Sequence, residues 1–139
     1  RAEDIANYVT GYTTPIFSPT GGMKISTIDL AKYMMMHMNY GLYPGAQERI
    51  ISEESSKNMQ TPRSDDEHYG LALWRNGEYI PEVELVGHTG SAYGLRSAMF
   101  FHPEEKYGFI VISSGAKNSD EGLLKGIIKI MYDYFIANE

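Results

Sequence analysis

The sequence predicts an α+β domain: an antiparallel sheet of three to four strands with a C-terminal helix, preceded by a region of helix and loop. Three observations predict it. Apolar residues recur at the helical period from Leu30 to Met38, the pattern becomes strand-like after residue 68, and it turns helical again from Leu123 to Phe135. The polar run Arg63-Ser64-Asp65-Asp66-Glu67-His68 divides a helix-and-loop segment, residues 1–64, from a sheet-and-helix segment, residues 65–139.

Each element has a local reason. Residues 1–22 set Pro15, Pro19, Gly11, Gly21 and Gly22 among Thr and Ser, which is a turn-rich connector. Ser26-Thr27-Ile28-Asp29 offers an N-cap hydroxyl with a carboxylate three residues on, a helix start. Leu30, Ala31, Met34, Met35 and Met38 then form one apolar stripe, and Asn39 to Gly41 ends the helix. Methionines at that spacing read as flexible core filler. A second helix is expected from Ser52, with Glu53 and Glu54 favoured by the dipole in its first turn. It stops before Pro62, since the residue preceding a proline avoids the helical region.

Tyr69 to Arg75 reads as a strand, Asn76-Gly77 as a hairpin turn, and Glu78 to Val86 as the returning strand, with Pro81 marking an edge or bulge. Gly94 to Phe101 and Tyr107 to Ser113 follow, joined through His102 to Lys106. Leu123, Leu124, Ile127, Ile128, Met131 and Phe135 give the closing helix a wide apolar face. Apolar residues occupy both parities of the last two strands, so both sheet faces are apolar. One helix covers one face. The other is expected to need a cover from an unseen segment or another copy of the chain.

Composition removes several classes of function. Of 139 residues, 42% are hydrophobic and 22% charged, which disfavours disorder. The net charge of −6, with no basic patch, argues against binding nucleic acid, whose phosphates demand Lys and Arg. No apolar run reaches the ~18 residues of a membrane span. The absence of cysteine excludes disulfides, thiolate zinc sites and a Cys nucleophile together. His37, His68, His88 and His102 are scattered and unpaired at helical spacing, so neither a metal nor another cofactor is expected.

Chemistry concentrates in Val86-Gly87-His88-Thr89-Gly90-Ser91-Ala92-Tyr93-Gly94. A strand ending in imidazole, hydroxyl and glycine suits acyl transfer. Gly90 lets a substrate lie against the strand edge, His88 and Thr89 face the cleft, and the Ser91 N–H can meet a developing oxyanion. The same residues also fit a locally hydrogen-bonded histidine and a Thr-Gly turn. Arg96 has the planar fork to take a substrate carboxylate or to pair across strands, and Tyr93 can rim the cleft.

The ordered motifs resemble the serine β-lactamase and penicillin-binding-protein superfamily, in its class C β-lactamase, DD-peptidase and esterase-like branch. Leu85 to Ser91 looks like that family's Lys/His-Thr/Ser-Gly strand. Ser18-Pro19-Thr20-Gly21-Gly22-Met23 with Ser26-Thr27-Ile28-Asp29-Leu30-Ala31 looks like its Pro-Ala-Gly-Gly-Leu…Ser-Thr-x-Asp-Leu-Ala segment. Met59-Gln60-Thr61-Pro62, Tyr69-Gly70-Leu71-Ala72-Leu73-Trp74, Phe101-His102-Pro103 and Phe109-Ile110-Val111-Ile112 match later pieces.

The resemblance implies a partial β-lactamase/transpeptidase-like fold, an acyl-enzyme mechanism, and a small acyl substrate: a β-lactam, a peptidoglycan peptide or an ester. It also implies an extracytoplasmic location. The family's Ser-x-x-Lys and Tyr-x-Asn or Ser-x-Asn elements come before the Gly-Gly-Met segment. The chain is therefore expected to be the C-terminal portion of a longer hydrolase and inactive alone. Ser114-Gly115-Ala116-Lys117 spells Ser-x-x-Lys, but it leaves a strand rather than opening an apolar helix. Ser56-Lys57-Asn58 spells Ser-x-Asn and reads as a solvated helix face. His88 stands where many members carry lysine. An imidazole, with an ordinary pKa of ~6.5 against ~10.4 for an amine, carries no fixed charge at neutral pH. That weakens the case for β-lactam recognition and raises that for esters and peptides. The rival expectation is a non-catalytic binding or self-assembly module on the same scaffold, pairing through its uncovered sheet face.

Overall fold

The computed structural model describes residues 3, 6, 7, 9, 23–64, 68–92, 94–115 and 121–138. The connector expected over residues 1–22 lies almost wholly outside them. Helix α1 (Thr27–Met38) begins where its caps dictate: Ser26 Oγ accepts from the Asp29 N–H at 3.1 Å and donates to the Asp29 carboxylate at 2.8 Å. Helix α2 (Glu53–Gln60) is capped in the same way, with Ser52 Oγ accepting from Ser55 N–H at 3.1 Å, and ends at Thr61 before Pro62.

Four strands follow as an antiparallel meander: β1 (Trp74–Ile80), β2 (Val83–Ala92), β3 (Leu95–His102) and β4 (Tyr107–Ser113), in the spatial order β1-β2-β3-β4. Helix α3 (Glu121–Phe135) closes the chain. The architecture is α+β.

Register assigns the two faces. Val86↔Phe101, His88↔Met99 and Met99↔Ile110 put one set of side chains together; Gly87↔Phe100, Thr89↔Ala98, Phe100↔Phe109 and Ala98↔Val111 make the other. On the second face Leu85, Ala98, Phe100, Phe109 and Val111 pack with Tyr79, Ile80 and with Leu124 and Ile128 of α3. On the first, Val86, Met99 and Phe101 pack with Met34 and Met38 of α1, flanked by Leu30, Met59 and Ile110. Phe100 and Phe101 are fully buried, one on each face, each burial stabilising by about 1.5–3 kcal/mol.

That packing corrects one expectation. Within this chain α1 covers the face opposite α3, so neither an outside segment nor another copy is needed along Val86, Met99 and Phe101. The self-assembly reading loses the bare surface on which it rested. The cover thins toward Leu95, which is 39% exposed.

A second correction concerns β1. Asn76-Gly77 is not a hairpin turn. The strand runs through it, and the chain reverses at Pro81-Glu82, with Glu82 at φ 64°. Asn76 Oδ1 instead accepts from Glu78 N–H at 2.6 Å, within an irregularity of register between Asn76 and Ile80. Burial of Tyr79 and Ile80 against Phe100 and α3 outweighs the turn preference of the dipeptide. Pro81 takes the first turn position, for which its fixed φ is suited.

A backbone oxygen of His37 and a lysine tie α1 to its surroundings. His37 is 1% exposed, and neither ring nitrogen has a partner; burial lowers its pKa by penalising the charged form. Its backbone oxygen accepts from Gln60 Nε2 at 2.8 Å, joining α1 to α2. Ser56 is buried in α2 while Lys57 and Asn58 are exposed, so the solvated face read for Ser56-Lys57-Asn58 holds for two of the three. Lys106 Nζ, from the β3–β4 turn, donates to Met38 O at 2.5 Å and sits 4.7 Å from the Tyr40 ring centre. In that turn His102 Nδ1 accepts from the Glu105 N–H at 3.1 Å.

Candidate functional site

The His-Thr-Gly motif lies inside β2, not at its end. The strand continues through it to Ala92, pairing with β3 at every position from Val86↔Phe101 to Ala92↔Leu95. Pairing with β1 stops at Trp74↔Gly87. From His88 to Ala92 the other edge of β2 is therefore without a strand partner among the described residues. An unpaired edge presents backbone N–H and C=O groups to which an extended acyl or peptide chain can bond.

Glycine lets β3 come close here. A Cβ on Gly87 would stand 1.9 Å from Met99 O, and one on Gly90 would stand 2.5 Å from Ser97 Oγ. The first is a backbone clash and the second a side-chain one, so only Gly87 is demanded by the sheet itself.

Alternation separates the expected site residues. His88 and Gly90 share the α1 face with Met99 and Ser97. Thr89, Ser91 and Arg96 belong to the α3 face, where Ser91↔Arg96 and Arg96↔Ser113 form one rung. The structure thus brings Ser91 and Arg96 side by side and puts His88 on the opposite face from both Thr89 and Arg96. Only a ligand lying along the strand edge reaches both sets. Thr89 and Ser91 are exposed, Arg96 is half-buried, and Tyr93 lies outside the described residues.

His88 is exposed, and its Nδ1 makes a short hydrogen bond to the backbone oxygen of Thr89. A carbonyl oxygen only accepts, so the ring proton is assigned to Nδ1 and the lone pair to Nε2. Nε2 of His88 is then an acceptor, where a lysine would be a donor. The ring of Tyr69 stands edge-on to it at 5.8 Å and 90°. Sequence reasoning assigned Tyr69 no role at the site. Its neighbourhood with His88 depends on where β1 pairs with β2, which no local pattern encodes.

Ser114 follows β4, and Gly115 turns the chain with φ 77°; Ala116 and Lys117 lie outside the described residues. Among the described residues no group of three or more His, Cys, Asp or Glu could hold a metal ion, and no helix is long and apolar enough to cross a membrane. A cavity of about 390 Å³ opens at the outer side of β1, lined by residues including His68, Trp74, Arg75 and Glu84. It contains none of the residues of the motif, so the strand edge, not the cavity, is the candidate site.

Among known families, the model described as Beta-lactamase matches residues 1–129. No curated protein and no solved structure matches the chain.

Proposed function

The chain belongs to the beta-lactamase family, of serine-hydrolase type, and from that premise we propose that it supplies the His-Thr-Gly wall of an acyl-transfer site whose nucleophile comes from sequence beyond these 139 residues. The observation that supports this most directly is the open edge of β2 from His88 to Ala92, beside the end of β1. A substrate acyl chain bonded along that edge meets His88 from one side and Thr89, Ser91 and Arg96 from the other. The only Ser-x-x-Lys in the sequence, at Ser114, follows a strand, and this supports a nucleophile from elsewhere.

In this reading a serine Oγ attacks the acyl carbon, and its proton passes to a neighbouring base. The oxygen that becomes negative is held by the Ser91 N–H and by the nucleophile's own N–H. The bond to the leaving nitrogen or oxygen then breaks, with the proton delivered to the leaving group, and water resolves the acyl-enzyme. Nε2 of His88 accepts or returns a proton within this cycle, while Thr89 and Gly90 align the substrate. Arg96 takes a carboxylate on the Thr89 side. Tyr93 remains a candidate rim residue. The substrate is a small β-lactam, peptide or ester, and histidine in the place of lysine favours the last two. The family resemblance supports an extracytoplasmic location, where cell-wall peptides lie.

The test measures ester and β-lactam hydrolysis by the 139-residue chain and by the longest polypeptide that its reading frame encodes. Turnover is expected only in the latter, falling about 10²–10⁴-fold on His88→Ala. Turnover by the 139-residue chain that disappears on Ser114→Ala overturns the proposal.

A further inference from the structure

Tyr69 reaches His88 from a separate part of the chain, where its own loop, α2 and the start of β1 hold it. Its backbone oxygen accepts from Arg63 N–H at 2.8 Å, and it bridges antiparallel to Trp74. The next residues are strapped to α2: Leu71 N–H donates to Met59 O at 2.9 Å, and Gly70 N–H turns back to Leu73 O at 2.7 Å. Arg75 locks the same corner. Its N–H donates to His68 O and its Nε to Gln60 O, both at 2.9 Å, while its guanidinium pairs with Glu84 at 2.7 Å. Gln60 itself reaches on to His37 O in α1. Backbone bonds to α2 and to the start of β1 thus set where the Tyr69 ring stands.

An exposed histidine on a strand has several rotamers and two neutral tautomers open to it. In the structure His88 Nδ1 meets Thr89 O, and among the described residues the ring of Tyr69 stands edge-on to the imidazole at 5.8 Å. We propose that Tyr69 is a positioning residue for His88: its ring holds the imidazole where Nδ1–H meets Thr89 O, and so keeps the lone pair on Nε2. The catalytic meaning of this rests on the function proposed above, but the positioning itself needs no substrate. The contact uses the ring and not the hydroxyl, so phenylalanine replaces tyrosine without loss.

Long-range ¹H–¹⁵N spectra of the 139-residue chain read the tautomer of His88 directly. The wild type and Tyr69→Phe are expected to show a single Nδ1–H form, with ring protons displaced by the neighbouring aromatic ring. Tyr69→Ala is expected to lose that displacement and to populate the Nε2–H form that free imidazole side chains favour. If Tyr69→Ala does not fold, Tyr69→Thr serves in its place, being β-branched for the bridge to Trp74 and too short to reach His88. Retention of the single Nδ1–H form in the Ala or Thr variant overturns the proposal, as does its loss in Tyr69→Phe. In a hydrolytically active longer polypeptide, Tyr69→Ala should lower kcat by about 10²-fold with KM little changed, and Tyr69→Phe should restore it. A changed tautomer with unchanged kcat upholds the positioning and overturns the catalytic role of His88.

Discussion

Replacing Gly87 by alanine asks whether β3 lies as close to the site strand as the register requires. The added Cβ would stand 1.9 Å from Met99 O and 2.7 Å from both Cα and Cδ1 of Phe100, where real Cβ contacts keep at least 3.0 Å. Opening the first contact to that limit moves β3 by 1.1 Å against β2. Ladder bonds of about 2.9 Å stretch past the hydrogen-bond range under such a shift. Losing two costs about 1 kcal/mol each, and a buried group left unpaired costs roughly 1–3 kcal/mol. The alanine returns about 0.4–1 kcal/mol by restricting the unfolded chain. The net expectation is a loss of about 2–5 kcal/mol, or roughly 6–18 °C in Tm. Gly90→Ala is the internal control, because its Cβ meets only Ser97 Oγ, at 2.5 Å, with Ser97 Cβ at 3.8 Å. A serine rotamer change relieves it for under about 1 kcal/mol, and Ser97→Ala should abolish even that. Urea unfolding followed by circular dichroism measures the three variants against the wild type. Gly87→Ala within about 0.5 kcal/mol of the wild type, or Gly90→Ala as damaging as Gly87→Ala, refutes the register on which the site is built.

His37, its pKa depressed by burial, carries a pH signature. Its folded pKa lies below the ordinary ~6.5 of the unfolded chain, so its share of stability is complete above about pH 6.5 and is lost as pH falls through the folded value. His37→Phe should flatten that acid limb in denaturation midpoints measured against pH; an unchanged limb contradicts the buried placement. Lys106→Met removes the bond to Met38 O and the charge over Tyr40, and should cost about 1 kcal/mol in urea unfolding. Phe100, fully buried and 4.5 Å from the Tyr79 ring centre, should cost about 3–5 kcal/mol when cut to alanine. A loss under 1 kcal/mol there contradicts the core described on the α3 face.

What the sequence revealed was local, and what it concealed was tertiary. Ser26 and Ser52 announced their helices because a cap depends on neighbours three residues away. The strands β3 and β4 and the closing helix were legible from periodicity alone. Asn76-Gly77 misled because its turn preference is a weak local bias, overridden by burial of Tyr79 and Ile80. The apolar face opposite the closing helix was foreseen, but its cover was not. Met34 and Met38 meet Phe101 across more than sixty residues of chain, and nothing in a one-dimensional pattern announces that docking. At the site, the residues of the motif could be named from their order. That they occupy the open half of a longer strand follows from the pairing with β1 stopping at Gly87. The proximity of Tyr69 to His88 follows from the same register.

The account stands on the unpaired edge of β2 as the surface that receives an acyl substrate. Amide chemical-shift mapping of the 139-residue chain, titrated with a short acylated dipeptide ester, tests it directly. The account predicts shifts concentrated on residues 88–92, on their β3 partners Leu95 to Ser97, and on Tyr69. Shifts confined to the cavity lined by His68, Trp74, Arg75 and Glu84, with the β2 edge unmoved, would contradict it.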